Sequence, residues 1–295
     1  MRIIEFVPPE CLYIAGIAAG ARMRAVFTYT PIDPVAIELG PLAVRWYGLM
    51  YLIGFVGGWW LGRKRARQWG LPVNAAQVDD LLFYTAMGVI LGGRVGYVLF
   101  YGWTNLANDP LSMLRIWEGG MSFHGGLIGV LLAMWLFARK VGSTFFRITD
   151  FIAPFVPIGL GAGRIGNFIN GELWGKPTDF PLAFVVNGTP VHASNLYEAI
   201  LEGPVLFAIL WVFSALRPPV MAVSGVFLLA YGIFRFSVEF VRVPDGHIGY
   251  LAFDWLTMGQ ILSTPMIICG AAFIIIAYRR NVSPAVPVKS GSKKK

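Results

Sequence analysis

LLFYTAMGVILGGRVGYVLFYG, from Leu81 to Gly102, carries one charged side chain, Arg94, in 22 residues. A helix needs about 20 mostly apolar residues to cross the hydrocarbon core of a bilayer, and its backbone polar groups must be satisfied inside the segment. The stretch therefore reads as a transmembrane helix. Six more stretches of the same character flank it, at about 44–62, 121–138, 149–168, 197–216, 221–241 and 256–278. The whole chain agrees: 56% of its residues are apolar, 14% are charged, and the mean hydropathy is +0.64. Soluble domains carry about 25% charged residues, so this chain lacks the charge to cover a water-facing surface. The expected fold is all-α, a polytopic membrane protein with seven transmembrane helices.

The Lys and Arg residues between the stretches set the orientation. Arg63, Lys64, Arg65 and Arg67 follow the first, Arg139, Lys140 and Arg147 the third, and Arg217 the fifth. Arg279, Arg280, Lys289 and Lys293 to Lys295 follow the last. The alternate loops hold only Arg115, Lys176 and Arg242. This bias puts the N-terminus outside and the C-terminus in the cytoplasm. Trp46, Trp59, Trp60, Trp103, Trp117 and Trp255 lie near expected helix ends, where an interfacial belt belongs.

Three regions follow. Residues 23–280 form the helical domain, with an outer arm at about 169–196. Residues 281–295 form a basic, disordered cytoplasmic tail, rich in Pro, Ser and Lys. Residues 1–22 lie outside the core. Their apolar run, Tyr13 to Ala21, is too short to span; an interfacial segment, a poor signal peptide or a true start at Met23 would each explain it, and the last is favoured. The two cysteines, Cys11 and Cys269, have no partner spacing, which argues against a disulfide framework or a zinc site. His124, His192 and His247 lack ligand spacing, so no metal or cofactor is expected. The basic balance falls in short loops and implies no nucleic acid.

An ionisable group inside a span costs about 2.5–3.5 kcal/mol on insertion scales and marks a functional site by default. Arg94, Arg164 and Arg235 fall in the outer halves of their helices. Arg45, Tyr47, His124, Glu198 and Glu202 fall at outer starts, with Asn167, Asn170 and Glu172 just after Arg164. For Arg45, Glu202 and Arg242, snorkelling or helix-end pairing competes evenly with a functional role. Asp79, Asp80 and Asp150 sit at inner ends and read as structural.

In the sixth stretch Tyr231, Arg235, Glu239 and Arg242 recur on one helical face, where Arg235 and Glu239 can pair. The fourth reads GLGAGRIGNFINGELWG over 159–175. Its small residues permit close helix approach, and glycine backbones can approach an anion that the Arg164 fork grips. Tyr97, Gly125 and Gly163 stand beside these polar groups.

The run Gly163-Arg164-Ile-Gly166-Asn167-Phe-Ile-Asn170-Gly171-Glu172-Leu-Trp-Gly175 resembles the signature of the prolipoprotein diacylglyceryl transferase family. The likeness covers roughly residues 32–280 and includes Trp46-Tyr47-Gly48, Gly92-Gly93-Arg94-Val-Gly96-Tyr97, Met121-Ser-Phe-His124-Gly125-Gly126, Leu196-Tyr197-Glu198, Tyr231-Gly-Ile-Phe-Arg235, Glu239-Phe-Val-Arg242 and Met258-Gly259-Gln260. Residues 192–195 depart from it, reading His-Ala-Ser-Asn where the family more often has His-Pro-Ser-Gln.

The resemblance implies a bacterial inner-membrane enzyme that moves the sn-1,2-diacylglyceryl group of phosphatidylglycerol to the lipobox cysteine of a prolipoprotein. A thioether forms and glycerol phosphate leaves. Its partners are phosphatidylglycerol, the prolipoprotein signal peptide and the bilayer. A thiol is mostly protonated at neutral pH, so the sulfur needs a base or a strong positive field. His124 is the simplest base; Glu239, or the arginine field alone, would also serve. Arg164 and Arg235 are the expected phosphate clamp. Tyr47, Asn167, Glu172, Gly175 and Tyr231 join them in binding phosphatidylglycerol. Arg94, Tyr97, Gly125, Gly163, Asn170, Glu198 and Arg242 support the site. The alternative is a transporter or channel for an anionic solute, which should show internal repeats and access from both sides.

Overall fold

The computed structural model describes residues 27–40, 42–68, 73–102, 109–115, 119–244 and 249–284. The N-terminal extension, Trp103, Trp117, His247 and the lysine tail lie outside the described residues. Long helices dominate: α1 (Trp46–Gln68), α2 (Ala75–Phe100), α3 (Phe123–Lys140), α4 (Phe145–Ile169), α5 (Ser194–Ala215), α6 (Ala222–Val238) and α7 (Met258–Arg280). A 3-10 turn at Ala153–Phe155 interrupts α4, and a π turn at Leu201–Val205 interrupts α5. Of these helices α2, α4, α5 and α7 are long and apolar enough to cross a membrane.

Local sequence explains where the rods begin. Asn74 and Gln77 form a reciprocal capping box before α2, and Thr257 and Gln260 form another before α7. Ser122 accepts from the Gly125 N–H ahead of α3. The first helix overruns its expected end: Arg63, Lys64 and Arg65 lie within α1 rather than in a loop, because after Gly62 the run to Gln68 holds only good helix formers and no proline.

The chain is mostly helical, as expected, but it also carries a few short strands. β1 (Phe27–Thr28), β4 (Phe184–Val186) and β5 (Thr189–Val191) form a sheet ordered β1-β4-β5, and β2 (Val35–Leu39) pairs antiparallel with β3 (Leu42–Arg45). Strands of two to five residues are too short to show a clear alternation.

Small residues bring the helices together. Gly88, Gly92 and Gly96 on α2 face Gly125 and Gly129 on α3. A Cβ on Gly92 would lie 2.7 Å from the Gly129 Cα, and one on Gly96 2.7 Å from the Gly125 Cα. Gly54 of α1 meets Gly159 of α4, and Gly161 of α4 meets Gly203 of α5, at similar approaches of 2.7 and 2.8 Å. Such backbone contact supplies the dispersion that holds helices together where no hydrophobic effect operates. Gly92→Val is accordingly expected to prise α2 from α3 and cost about 1–3 kcal/mol, as overpacked interiors do. Thermal unfolding in detergent reads the effect, and an unshifted midpoint would refute it.

One end of the bundle is sealed by charge. Arg63 of α1 pairs with Asp79 of α2, and the Lys140 ammonium lies 2.9 Å from Asp80. Asp150 caps α6, accepting from the Met221 and Ser224 N–H groups at 2.5 and 2.8 Å and from the Ser224 hydroxyl at 2.6 Å. Behind this seal Val78, Leu81, Met134, Phe137, Ile148 and Phe151 form the largest apolar cluster. The strands, the arm and the functional groups gather at the opposite end.

Candidate active site

Helices α4, α5 and α6 each send charged side chains to one buried point. Arg164 sits mid-face on α4, its Nη1 2.9 Å from Glu198 Oε2 and its Nε 3.0 Å from Glu202 Oε2. Arg235 on α6 places Nη1 2.7 Å from Glu198 Oε1 and 2.6 Å from Glu239 Oε2. Arg242 Nη1 approaches Glu198 Oε1 at 3.7 Å. Glu198 thus touches three arginines. Its side chain and that of Glu202 are 1% exposed, so these pairs are shielded from solvent. The Thr257 hydroxyl donates to Glu239 Oε1 at 3.0 Å, which ties the α7 cap to the network.

The pairing leaves donors over. A guanidinium has five N–H bonds. Among the described residues no acceptor engages Arg164 Nη2, or Arg235 Nε and Nη2. A Cβ on the preceding Gly163 would meet no atom within 4 Å. Tyr231, one turn before Arg235, lies close enough to Arg164 and Glu202 to interact with them electrostatically. The arrangement can receive a tetrahedral oxyanion on charge-assisted hydrogen bonds.

The rim is built where α4 ends. Asn167 and Asn170 donate to the two oxygens of Glu172 at 3.2 and 3.3 Å. Tyr47, on the first turn of α1, packs its ring against Gly166 and shares a 3.3 Å hydrogen bond with Tyr51. Gly175 is buried and bound through its backbone. Its N–H donates to the His192 carbonyl at 2.8 Å, and it bridges to Arg242, where a Cβ would come within 2.7 Å of the His192 Cβ. Its place in the site comes through the arm it anchors. The Ser194 hydroxyl and Asn195 amide hold the same arm, donating to the Leu173 and Glu172 carbonyls at 2.6 and 2.9 Å. Burial pushes the His192 imidazole below its ordinary pKa, and the ring lies 3.3 Å from the Tyr197 hydroxyl.

The remaining expected residues stand on the α2–α3 pair. Arg94 is 7% exposed, and its guanidinium donates to the carbonyls of Met113, Arg115 and Gly120 at 3.1, 2.9 and 3.2 Å, and to Gly119. It is a staple for the loop before α3, with Tyr97 under the cation. Gly125 serves the helix contact. His124 is exposed on the first turn of α3, edge-on to Phe123, with no hydrogen bond to the network among the described residues. On α6 the expected single face is interrupted: the helix ends at Val238, Glu239 caps it, and Arg242 reaches the network from the segment beyond. Thr257 and Asn195 carried no functional expectation, although the Thr257-x-x-Gln260 capping box was visible in the sequence.

The profile of the prolipoprotein diacylglyceryl transferase family matches residues 34–276. A phosphatidylglycerol–prolipoprotein diacylglyceryl transferase of Methylococcus capsulatus is 59% identical over 260 residues, covering 87% of this chain and 99% of that protein. One from Azotobacter vinelandii is 60% identical over 257 residues, covering 86% and 97%. One from Pseudomonas aeruginosa is 55% identical over 261 residues, covering 88% and 98%.

Proposed function

This chain belongs to the prolipoprotein diacylglyceryl transferase family, and we propose that its buried arginine–glutamate network is where the sn-1,2-diacylglyceryl group passes from phosphatidylglycerol to the lipobox cysteine of a prolipoprotein. It is a transferase of lipoprotein biosynthesis. The sulfur–carbon bond forms as the carbon–oxygen bond to phosphate breaks, and glycerol phosphate departs with the electron pair. The observation that carries this reading is the set of unengaged N–H groups on Arg164 and Arg235, held rigid by buried carboxylates. A fixed donor set in a dry site stabilises charge that develops on a leaving phosphate.

In this reading all of α1 to α7 cross the bacterial inner membrane. The sealed end with Arg63, Lys140 and Arg147 faces the cytoplasm, following the distribution of basic residues. The network then lies toward the periplasmic half, where a lipid headgroup and an exported cysteine meet. Residues 23–280 are the catalytic domain. Tyr47, Asn167, Glu172 and Tyr231 line the headgroup, and Gly175 anchors the arm over it. His124, at the same end with an uncommitted ring, is the proton acceptor. Glu239 suits that role less, since both its oxygens are engaged by Arg235 and Thr257. The committed guanidinium of Arg94 holds the loop that leads to His124.

The test is direct. The purified protein is incubated with phosphatidylglycerol and a lipobox peptide, the peptide is weighed, and released glycerol phosphate is assayed. A diacylglyceryl mass increase is expected, absent from a Cys→Ser peptide. A folded sample that transfers nothing but passes anions across liposomes would establish the transporter instead.

A further inference from the structure

The network holds three arginines, Arg164, Arg235 and Arg242, and three glutamates, Glu198, Glu202 and Glu239, all joined by ion pairs. Its formal charge is zero when all six are ionised. A site evolved only to grip an anion tightly would keep more positive charge. Glu202 is the least explained member. Its Oε2 holds Arg164, but its Oε1 is buried and meets no hydrogen-bond donor. Buried acceptors are normally satisfied, and an exception calls for a reason. The residue also sits in the π turn of α5, next to Gly203, whose backbone is non-helical at φ −91° and ψ −107°, and to Pro204. Such turns are rare and recur at functional sites. Glu172 adds a fourth carboxylate at the rim.

We propose that this charge balance is a specificity device: the site accepts a phosphodiester monoanion and gives no tighter hold to the phosphate monoester that the reaction produces, with Glu202 supplying the decisive negative charge. The inference rests on the phosphatidylglycerol reading above. The substrate phosphate carries one negative charge. After the sulfur–carbon bond forms and the carbon–oxygen bond breaks, the departing glycerol phosphate is a monoester whose second ionisation lies near pH 6, so it approaches two negative charges. Coulomb energy follows the product of charges, and in a buried site it is weakly screened. A neutral network offers a second negative charge no net attraction. The unengaged N–H groups of Arg164 and Arg235 hold either phosphate by short contacts, and the buried carboxylates cancel the extra attraction that the monoester's second charge would otherwise gain.

The full-length protein in detergent is titrated at one pH near neutrality with two soluble probes, glycerol phosphate and the diester glycerophosphoglycerol. The wild type is expected to bind the diester at least as tightly as the monoester. Glu202→Gln keeps an acceptor for Arg164 and removes the charge. It should tighten glycerol phosphate about 10-fold and the diester only about 3-fold, since one unit of site charge acts on two charges or on one. Glycerol phosphate should then inhibit transfer by Glu202→Gln at correspondingly lower concentration. Glu202→Asp keeps the charge and should stay near wild type. Unchanged or weaker monoester binding by Glu202→Gln, equal tightening of both probes, or Glu202→Asp behaving like Glu202→Gln would overturn the proposal. If Glu202→Gln does not withstand extraction, Glu239→Gln removes a charge from the same network and must show the same preference shift. A wild type that transfers no diacylglyceryl group would sink the functional reading instead, and the transfer assay registers that separately.

Discussion

Arg164→Lys is expected to lower kcat/KM for diacylglyceryl transfer about 100-fold, and Arg164→Ala about 1,000-fold, the range seen when a fixed donor to a developing oxyanion is lost. The two variants separate shape from charge. Lysine keeps the positive charge on a flexible stem but cannot present a planar fork. In this network Arg164 uses Nε for Glu202 and Nη1 for Glu198, leaving Nη2 for the ligand. A lysine ammonium that satisfies Glu198 has no rigid means of also serving Glu202 and a phosphate. Alanine goes further and strands Glu202, which is 1% exposed and whose ion pair is with Arg164, while Glu198 keeps Arg235. Breaking a buried pair in that way costs about 3–5 kcal/mol of stability. The activity loss is therefore read on protein whose folding is checked by thermal unfolding, and Arg164→Lys carries the chemical argument. Equal, near-wild-type rates for Arg164→Lys and the parent would show that only charge matters at this position.

The sequence exposed the features that depend on local pattern. Apolar runs between Gly and basic punctuation marked each long helix among the described residues, with ends off by up to six residues, because a long apolar helix satisfies its backbone internally and so declares itself in composition. The Gly163–Gly175 run pointed to Arg164, and the four-residue spacing of Arg235 and Glu239 became a 2.6 Å ion pair. What stayed hidden depends on tertiary placement. Glu198 looked like a helix-start residue with a supporting part, yet it touches three arginines from α4, α6 and the segment beyond α6. Arg94 resembled Arg164 in depth and neighbours, but its guanidinium is spent on loop carbonyls some 19 to 26 residues away in sequence. No periodicity reports which carbonyls an arginine will meet. The π turn at Leu201–Val205 was equally silent: Gly203-Pro204 signals a break, but the placement of Glu202 behind it follows from the packing of Gly203 on Gly161.

Arg235→Ala should abolish nearly all turnover, by about 1,000-fold or more, for a reason that differs from Arg164. Arg235 commits a single nitrogen, Nη1, to both Glu198 and Glu239, so its other edge carries the larger unengaged donor surface of the two arginines. Two parallel N–H groups on that edge fit two oxygens of one phosphate, a geometry with more strength and direction than separate contacts. Those bonds shorten as charge collects on the departing oxygen, so the loss should appear mainly in kcat rather than in KM. Thioether formation and glycerol phosphate release are one bond exchange, and they must fall in parallel. Arg235→Lys, which restores charge without the paired edge, should recover only part of the rate. A folded Arg235→Ala protein with full activity would remove the phosphate clamp from this site. A fall in thioether formation without a matching fall in glycerol phosphate would mean instead that Arg235 directs the thiol, with water attacking in its place.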